Sequence, residues 1–145
     1  IDNNNPELYK PNADLGGKTI AETLLVPTKI YVKPVLALLE QVDVKGISHI
    51  TGGGFYENIP RSIPDGLGAK IDKASVRVLP IFDLIAKTGN ISERDMYNTF
   101  NMGLGMVLAV DEKDVDATLA AIKEAGEEGY VVGHIEAGDK GVTLC

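Results

Sequence analysis

The sequence has one cysteine, two histidines and no tryptophan among its 145 residues, and only 6% of it is aromatic. A lone Cys145 cannot form an internal disulfide. Two histidines without thiolate neighbours do not make a zinc site, so no metal ligand set is assigned. Such cysteine usage suits a reducing, cytoplasmic setting. Long hydrophobic runs are also missing: the run over residues 105–110 falls far short of the roughly 18–20 residues that a membrane span needs. No basic segment precedes an apolar one at the start, so no signal peptide is expected. Basic residues are outnumbered 14 to 21, for a net charge of −7. That balance argues against nucleic acid or an anionic membrane as the main partner.

What is present is an ordinary globular composition, 44% hydrophobic and 24% charged. The length suits one domain, able to bury roughly 68–70% of its unfolded surface without staples. Residues 1–70 carry 7 basic and 8 acidic groups and residues 71–145 carry 7 and 13. An anionic ligand therefore fits the first half better. The opening Ile1, where a Met would stand, suggests a piece of something longer.

Asn3-Asn4-Asn5-Pro6, Pro11-Asn12 and Leu15-Gly16-Gly17 predict an irregular beginning. Helices are expected over residues 19–25, 32–42, 81–87, 92–100 and 115–125, with one or two further turns over 55–59. Pro34 fits a first helical turn, where its missing N–H costs nothing. Ser92 and Asp95 have capping-box spacing, and Asp111 to Asp114 suit a helix entry. Strands are expected over residues 46–50, 69–72, 104–110, 130–135 and 142–144. The order implies a layered α/β domain.

The strongest local signal runs from His49 to Arg61. A strand that feeds Thr51-Gly52-Gly53-Gly54 and then a helix start is a recipe for an anion site. There, free backbone N–H groups can approach a phosphate or carboxylate. Thr51 offers a hydroxyl and Arg61 a planar fork suited to phosphate. A tight turn also needs glycine, but three in succession exceed that need. The pattern is neither a Walker A loop nor a dinucleotide fingerprint. His49 at the strand end is either a ligand or catalytic group, or a hydrogen-bonded rim residue. Asn101 is either a ligand contact or a helix terminator. Gly103 and Gly105 mark a close approach, by ligand or by packing. Lys29, Tyr31 and Lys33 are either a solvated face or a groove wall, and His134 is read as structural.

Residues 26–34, 49–61 and 96–106 together resemble the phosphoribosylformylglycinamidine cyclo-ligases, also called aminoimidazole ribonucleotide synthetases. The resemblance is in order and runs from about Leu15 to Glu136. It corresponds to the C-terminal domain, here residues 15–145 behind an irregular lead-in at 1–14. The continuation Glu57-Asn58-Ile59-Pro60-Arg61 separates it from relatives such as selenophosphate synthetase and a hydrogenase maturation factor. The resemblance implies an α/β (α+β) fold, a layered sheet with helices and partly ferredoxin-like topology. It also implies ATP-dependent ring closure of formylglycinamidine ribonucleotide in purine biosynthesis. ATP and Mg2+ would serve the full-length enzyme, a homodimer, and this fragment would bind neither tightly nor act alone. Thr51, Gly52, Gly53, Gly54, Asn58 and Arg61 are implied ligand contacts, and Asn101 and a catalytic His49 are candidates beside them. An apolar surface over Thr19 to Tyr31 is expected where the missing N-terminal domain would pack. The alternative is a stand-alone, non-catalytic module that binds a phosphorylated metabolite.

Overall fold

Local signals in the sequence explain where most elements start and stop. The computed structural model describes residues 4–145, so the first three residues of the expected irregular lead-in lie outside it. In chain order the elements are α1 (Ile20–Leu24), α2 (Val32–Leu39), β1 (Gly46–His49), α3 (Gly54–Asn58) and β2 (Leu67–Ile71). They continue with α4 (Pro80–Gly89), α5 (Glu93–Thr99), β3 (Met106–Ala109), α6 (Val115–Glu124), β4 (Gly133–Ala137) and β5 (Val142–Leu144). Short 3-10 turns at Pro6–Tyr9 and Ala13–Leu15 start the described chain, each capped by an asparagine side chain, Asn5 and Asn12. None of the described helices is long and apolar enough to cross a membrane.

The complete capping box lies at α1. Thr19 Oγ1 accepts from the Glu22 amide at 3.0 Å, and Glu22 Oε2 accepts from the Thr19 amide at 2.8 Å. At α5 only half of the expected box forms. Ser92 caps the Asp95 amide, but the Asp95 carboxylate takes the Ser92 hydroxyl at 2.6 Å and not its N–H. Asp111 and Asp114 occupy cap positions without using their side chains as caps. Asp111 lies 3.6 Å from Lys45.

The Thr19 backbone N–H, followed by its hydroxyl, holds the Glu22 carboxyl below the usual carboxylate range. The cap is therefore complete above the ordinary carboxylate pKa of about 4.3 and is lost as pH falls through the lower folded value. In an acid titration followed by NMR, the Thr19 amide is expected to keep its bonded shift below the ordinary carboxylate midpoint. A midpoint at the ordinary value would contradict the capping role.

The mixed α/β class is observed, with the strands divided between two small sheets. β1 and β3 pair antiparallel, with Ile47 opposite Leu108 and His49 opposite Met106. In the other sheet, β2 lies centrally, antiparallel to β4 and parallel to β5. The expected strand at 130–135 starts only at Gly133. Tyr130 is held against Arg77, whose guanidinium lies 4.3 Å from the ring centroid and whose amide donates to the phenol at 3.3 Å. β4 is exposed along its length, and His134 on it pairs with Glu136 at 3.2 Å.

The main core joins Ile50, Phe55, Ile59, Ile63, Ala69, Ile71, Met96 and Tyr97. It therefore sits directly beneath the glycine-rich turn. A smaller cluster of Leu38, Val42 and Ala121 ties α2 to α6. The buried line on α6 runs through Thr118 and Ala121, while Ala125 at the edge of the expected face is exposed. Only part of the apolar face expected on α2 is covered. Leu36 and Leu39 remain open, and Leu25 and Ile30 before the helix are each 79% exposed. Leu24 and Val26 are also exposed within the expected Thr19–Tyr31 segment, and Val32 and Ile47 are exposed outside it.

Candidate functional site

β1 delivers the chain to Thr51 with both of its sides fixed. Ser48, pointing inward, bonds the Ser62 hydroxyl at 2.6 Å and reaches the carbonyls of Asn58 and Ile59. The Ile50 amide donates to the Gly105 carbonyl at 2.9 Å. The chain then turns: the Gly54 amide donates to the Thr51 carbonyl at 3.0 Å, and the Glu57 amide to the Gly53 carbonyl at 3.1 Å. Two residues of this turn, Gly53 at φ 108° and Gly54 at φ 54°, lie in the left-handed region that L side chains avoid.

The three glycines do different work. A Cβ on Gly54 would collide with the Tyr97 carbonyl, so α3 and α5 touch backbone to backbone there. A Cβ on Gly53 would fall 2.7 Å from Asn58 Nδ2 and 2.9 Å from a Glu57 carboxylate oxygen. Gly52 has open space around it and an ordinary φ. The amides of Gly52 and Gly53 have no intramolecular acceptor among the described residues.

Asn58 is buried, and its side chain bonds back to Thr51 and Gly52. Arg61 is exposed on the 3-10 turn after α3 and pairs with Glu57 at 3.4 Å. Exposed pairs of this kind contribute about 0–1 kcal/mol, so the guanidinium is free to exchange Glu57 for a stronger anion. The Glu57 carboxylate beside Gly53 would otherwise oppose a negative ligand.

His49 is exposed beside the turn, with its ring edge-on to Tyr31 at a centroid separation of 5.6 Å. Gly105 makes room for the Tyr31 hydroxyl, because a Cβ there would overlap it. Asn101 is used locally: its Oδ1 accepts from the Gly103 amide at 2.9 Å. Gly103, at φ 102°, packs against Leu79 and the Arg77 carbonyl, so that close approach is internal. The structure thus brings His49, Thr51, Gly52, Gly53, Gly54, Asn58 and Arg61 into one strand–turn–helix unit, with Asn101 in the turn that leads to Gly105.

Sequence reasoning did not single out Ser48, Ser62 or Tyr97. An inward-facing serine in an alternating strand is a usable signal for the first. The contact of Tyr97 with Gly54 has no sequence signal, because it is made by backbone atoms far apart in the chain. Burial, followed by the nearby Glu93 charge, pushes the Tyr97 phenol up. Lys73 is raised through its hydrogen bond to Glu93, at 3.0 Å.

The fold is similar to that of E. coli HypE, a hydrogenase maturation protein. That crystal structure matches with a TM-score of 0.63 and 23% identity, over 86% of this chain and 39% of that one. At that identity the likeness concerns the fold. Residues 3–145 match the family described as AIR synthase related protein, C-terminal domain, and the chain belongs to that family. It is similar to the phosphoribosylformylglycinamidine cyclo-ligase of Lachnospira eligens, 62% identical over 130 residues, or 89% of this chain and 38% of that protein. The enzyme of the same name from Caldicellulosiruptor bescii is 52% identical over 144 residues, 99% of this chain and 42% of that protein. The chain therefore spans about two fifths of the length of these curated relatives.

Proposed function

We propose that this chain is the C-terminal part of an ATP-dependent cyclo-ligase that closes the ring of formylglycinamidine ribonucleotide in purine biosynthesis. The observation that carries the reading is the 62% identity, over 89% of the chain, to a protein of that name. The uncovered apolar surface around Leu25, Ile30 and Leu36 supports it, since a domain normally packed on another exposes an interface of about 600–1,500 Å². In this reading the N-terminal part of the longer protein covers that surface, and the full-length enzyme is a cytoplasmic homodimer.

Among the described residues, no group of three or more His, Cys, Asp or Glu side chains converges on one point. In this reading the metal and most of the nucleotide site belong to the N-terminal part. The present residues supply one wall. The Gly52 and Gly53 amides and the Arg61 guanidinium, next to Thr51, form a cradle for a phosphate of the ribotide or of ATP. His49 and Tyr31 stand at its edge, where the imidazole can hold or pass a proton. Held in this way, a phosphate fixes the reacting end of its molecule in near-attack geometry.

The test compares the full-length protein with this chain alone. ADP release that requires formylglycinamidine ribonucleotide is expected from the full-length protein and is expected to be absent from the chain alone. Ribotide-dependent ADP release by the chain alone would overturn the division of labour. Binding of the ribotide without turnover by the full-length protein would favour the stand-alone binding module.

A further inference from the structure

We propose that Asn58 is a positioning residue, whose buried carboxamide shapes the Thr51–Gly53 backbone for anion binding and does not itself touch the ligand. Oδ1 accepts from the Thr51 amide at 3.1 Å and from the Thr51 hydroxyl at 3.3 Å. Nδ2 donates to the Gly52 carbonyl at 3.3 Å. A neutral amide side chain has two acceptor sites and two donor hydrogens, so both acceptor sites and one donor are already spent on the loop. The residue is only 5% exposed, which leaves it little surface to offer a ligand.

The surroundings fit this role. Ser48 Oγ donates to the Asn58 backbone carbonyl at 3.3 Å, which anchors the residue to β1. Gly53 lacks the Cβ that would intrude on Nδ2, so glycine there makes room for this amide. By occupying the Gly52 carbonyl and the Thr51 amide, Asn58 leaves the Gly52 and Gly53 amides as the unpaired donors of the turn. Threonine, of similar size, carries its donor and acceptor pair on one oxygen, whereas the carboxamide presents them on two atoms that reach Thr51 and Gly52 separately. Aspartate keeps the acceptor, loses the donor and adds a negative charge under the cradle.

The inference rests on the phosphate-cradle reading, and the experiment separates the two. Full-length protein with Asn58→Asp is compared with the parent by steady-state kinetics for both phosphate-bearing substrates, and by NMR titration of inorganic phosphate. In the parent, phosphate is expected to move the Gly52 and Gly53 amide signals. Failure to move them overturns the cradle reading itself. With that shift established, Asn58→Asp is expected to raise the KM for one substrate tenfold or more and to leave the other within twofold. It should still fold with a cooperative melting transition, at a temperature below that of the parent because the buried carboxylate replaces a donor. Asn58→Asp with both KM values unchanged, or with kcat lowered only in step with a lost melting transition, overturns the positioning role alone. If the variant does not fold, amide exchange at Thr51 in the parent decides. Protection without ligand supports a loop held by Asn58, and free exchange overturns it.

Discussion

Gly54→Ala is expected to destabilise this domain by about 2–5 kcal/mol, more than any other single substitution in the glycine turn. Two costs add. A non-glycine residue at φ 54° costs about 1–2 kcal/mol in the left-handed region. The new Cβ would also press on the Tyr97 carbonyl and approach the Asn98 carbonyl carbon at 2.9 Å. Those are backbone atoms of α5, which cannot rotate away, so overpacking adds about 1–3 kcal/mol. Gly52→Ala is the control, with open space and an ordinary φ, and should stay within about 0.5 kcal/mol of the parent. Urea denaturation of the two variants checks the contrast. Equal midpoints would mean that the turn is not packed on α5.

Phe55→Ala should cost about 3–5 kcal/mol, as truncation of a fully buried aromatic residue does. Phe55 has no exposed surface and meets the Tyr97 ring edge-on, with centroids 5.1 Å apart. It fills the space between α3 and α5, so its loss leaves a cavity under the glycine turn that backbone contacts on both sides keep open. Since a domain has only about 5–15 kcal/mol of stability, the variant should be near unfolding at physiological temperature. The thermal transition, read by circular dichroism, checks it, and a shift of only a degree or two would contradict this placement of the core. Gly54 and Phe55 are adjacent, and both act by setting how α3 lies on α5. The candidate site is thus built directly over the main core.

Much of the fold can be read in the chain. The β-branched alternation of Gly46 to Ile50, the periodicity of residues 32–42 and 115–125, and Ser92 at a helix start all correspond to observed elements. The part not legible involves long-range partners. Tyr130 to Val132 has the composition of a strand, but the Arg77 contact and the bond from the Asp72 amide to the Val132 carbonyl draw it out of the ladder. Ser92 and Asp95 have capping-box spacing, yet the carboxylate bonds the hydroxyl, a choice between two nearby donors that spacing does not decide. Thr19 and Glu22 have the same spacing, and Thr19 stands outside the helix as its cap, not within it as the expected helix over 19–25 has it.

At the candidate site the division is sharper. The run Thr51-Gly52-Gly53-Gly54 determined by itself that a strand would pass into a helix through a turn of unusual backbone freedom. It also placed Arg61 one turn beyond. Family membership likewise follows from the sequence alone, through residues 3–145. Only the tertiary structure assigned a separate reason to each glycine: Gly54 admits the Tyr97 backbone, Gly53 admits the Asn58 amide, and Gly52 alone stands in open space. Glycine has no side chain whose chemistry could announce its role. What it makes room for is set by whichever distant atoms the packing brings against it.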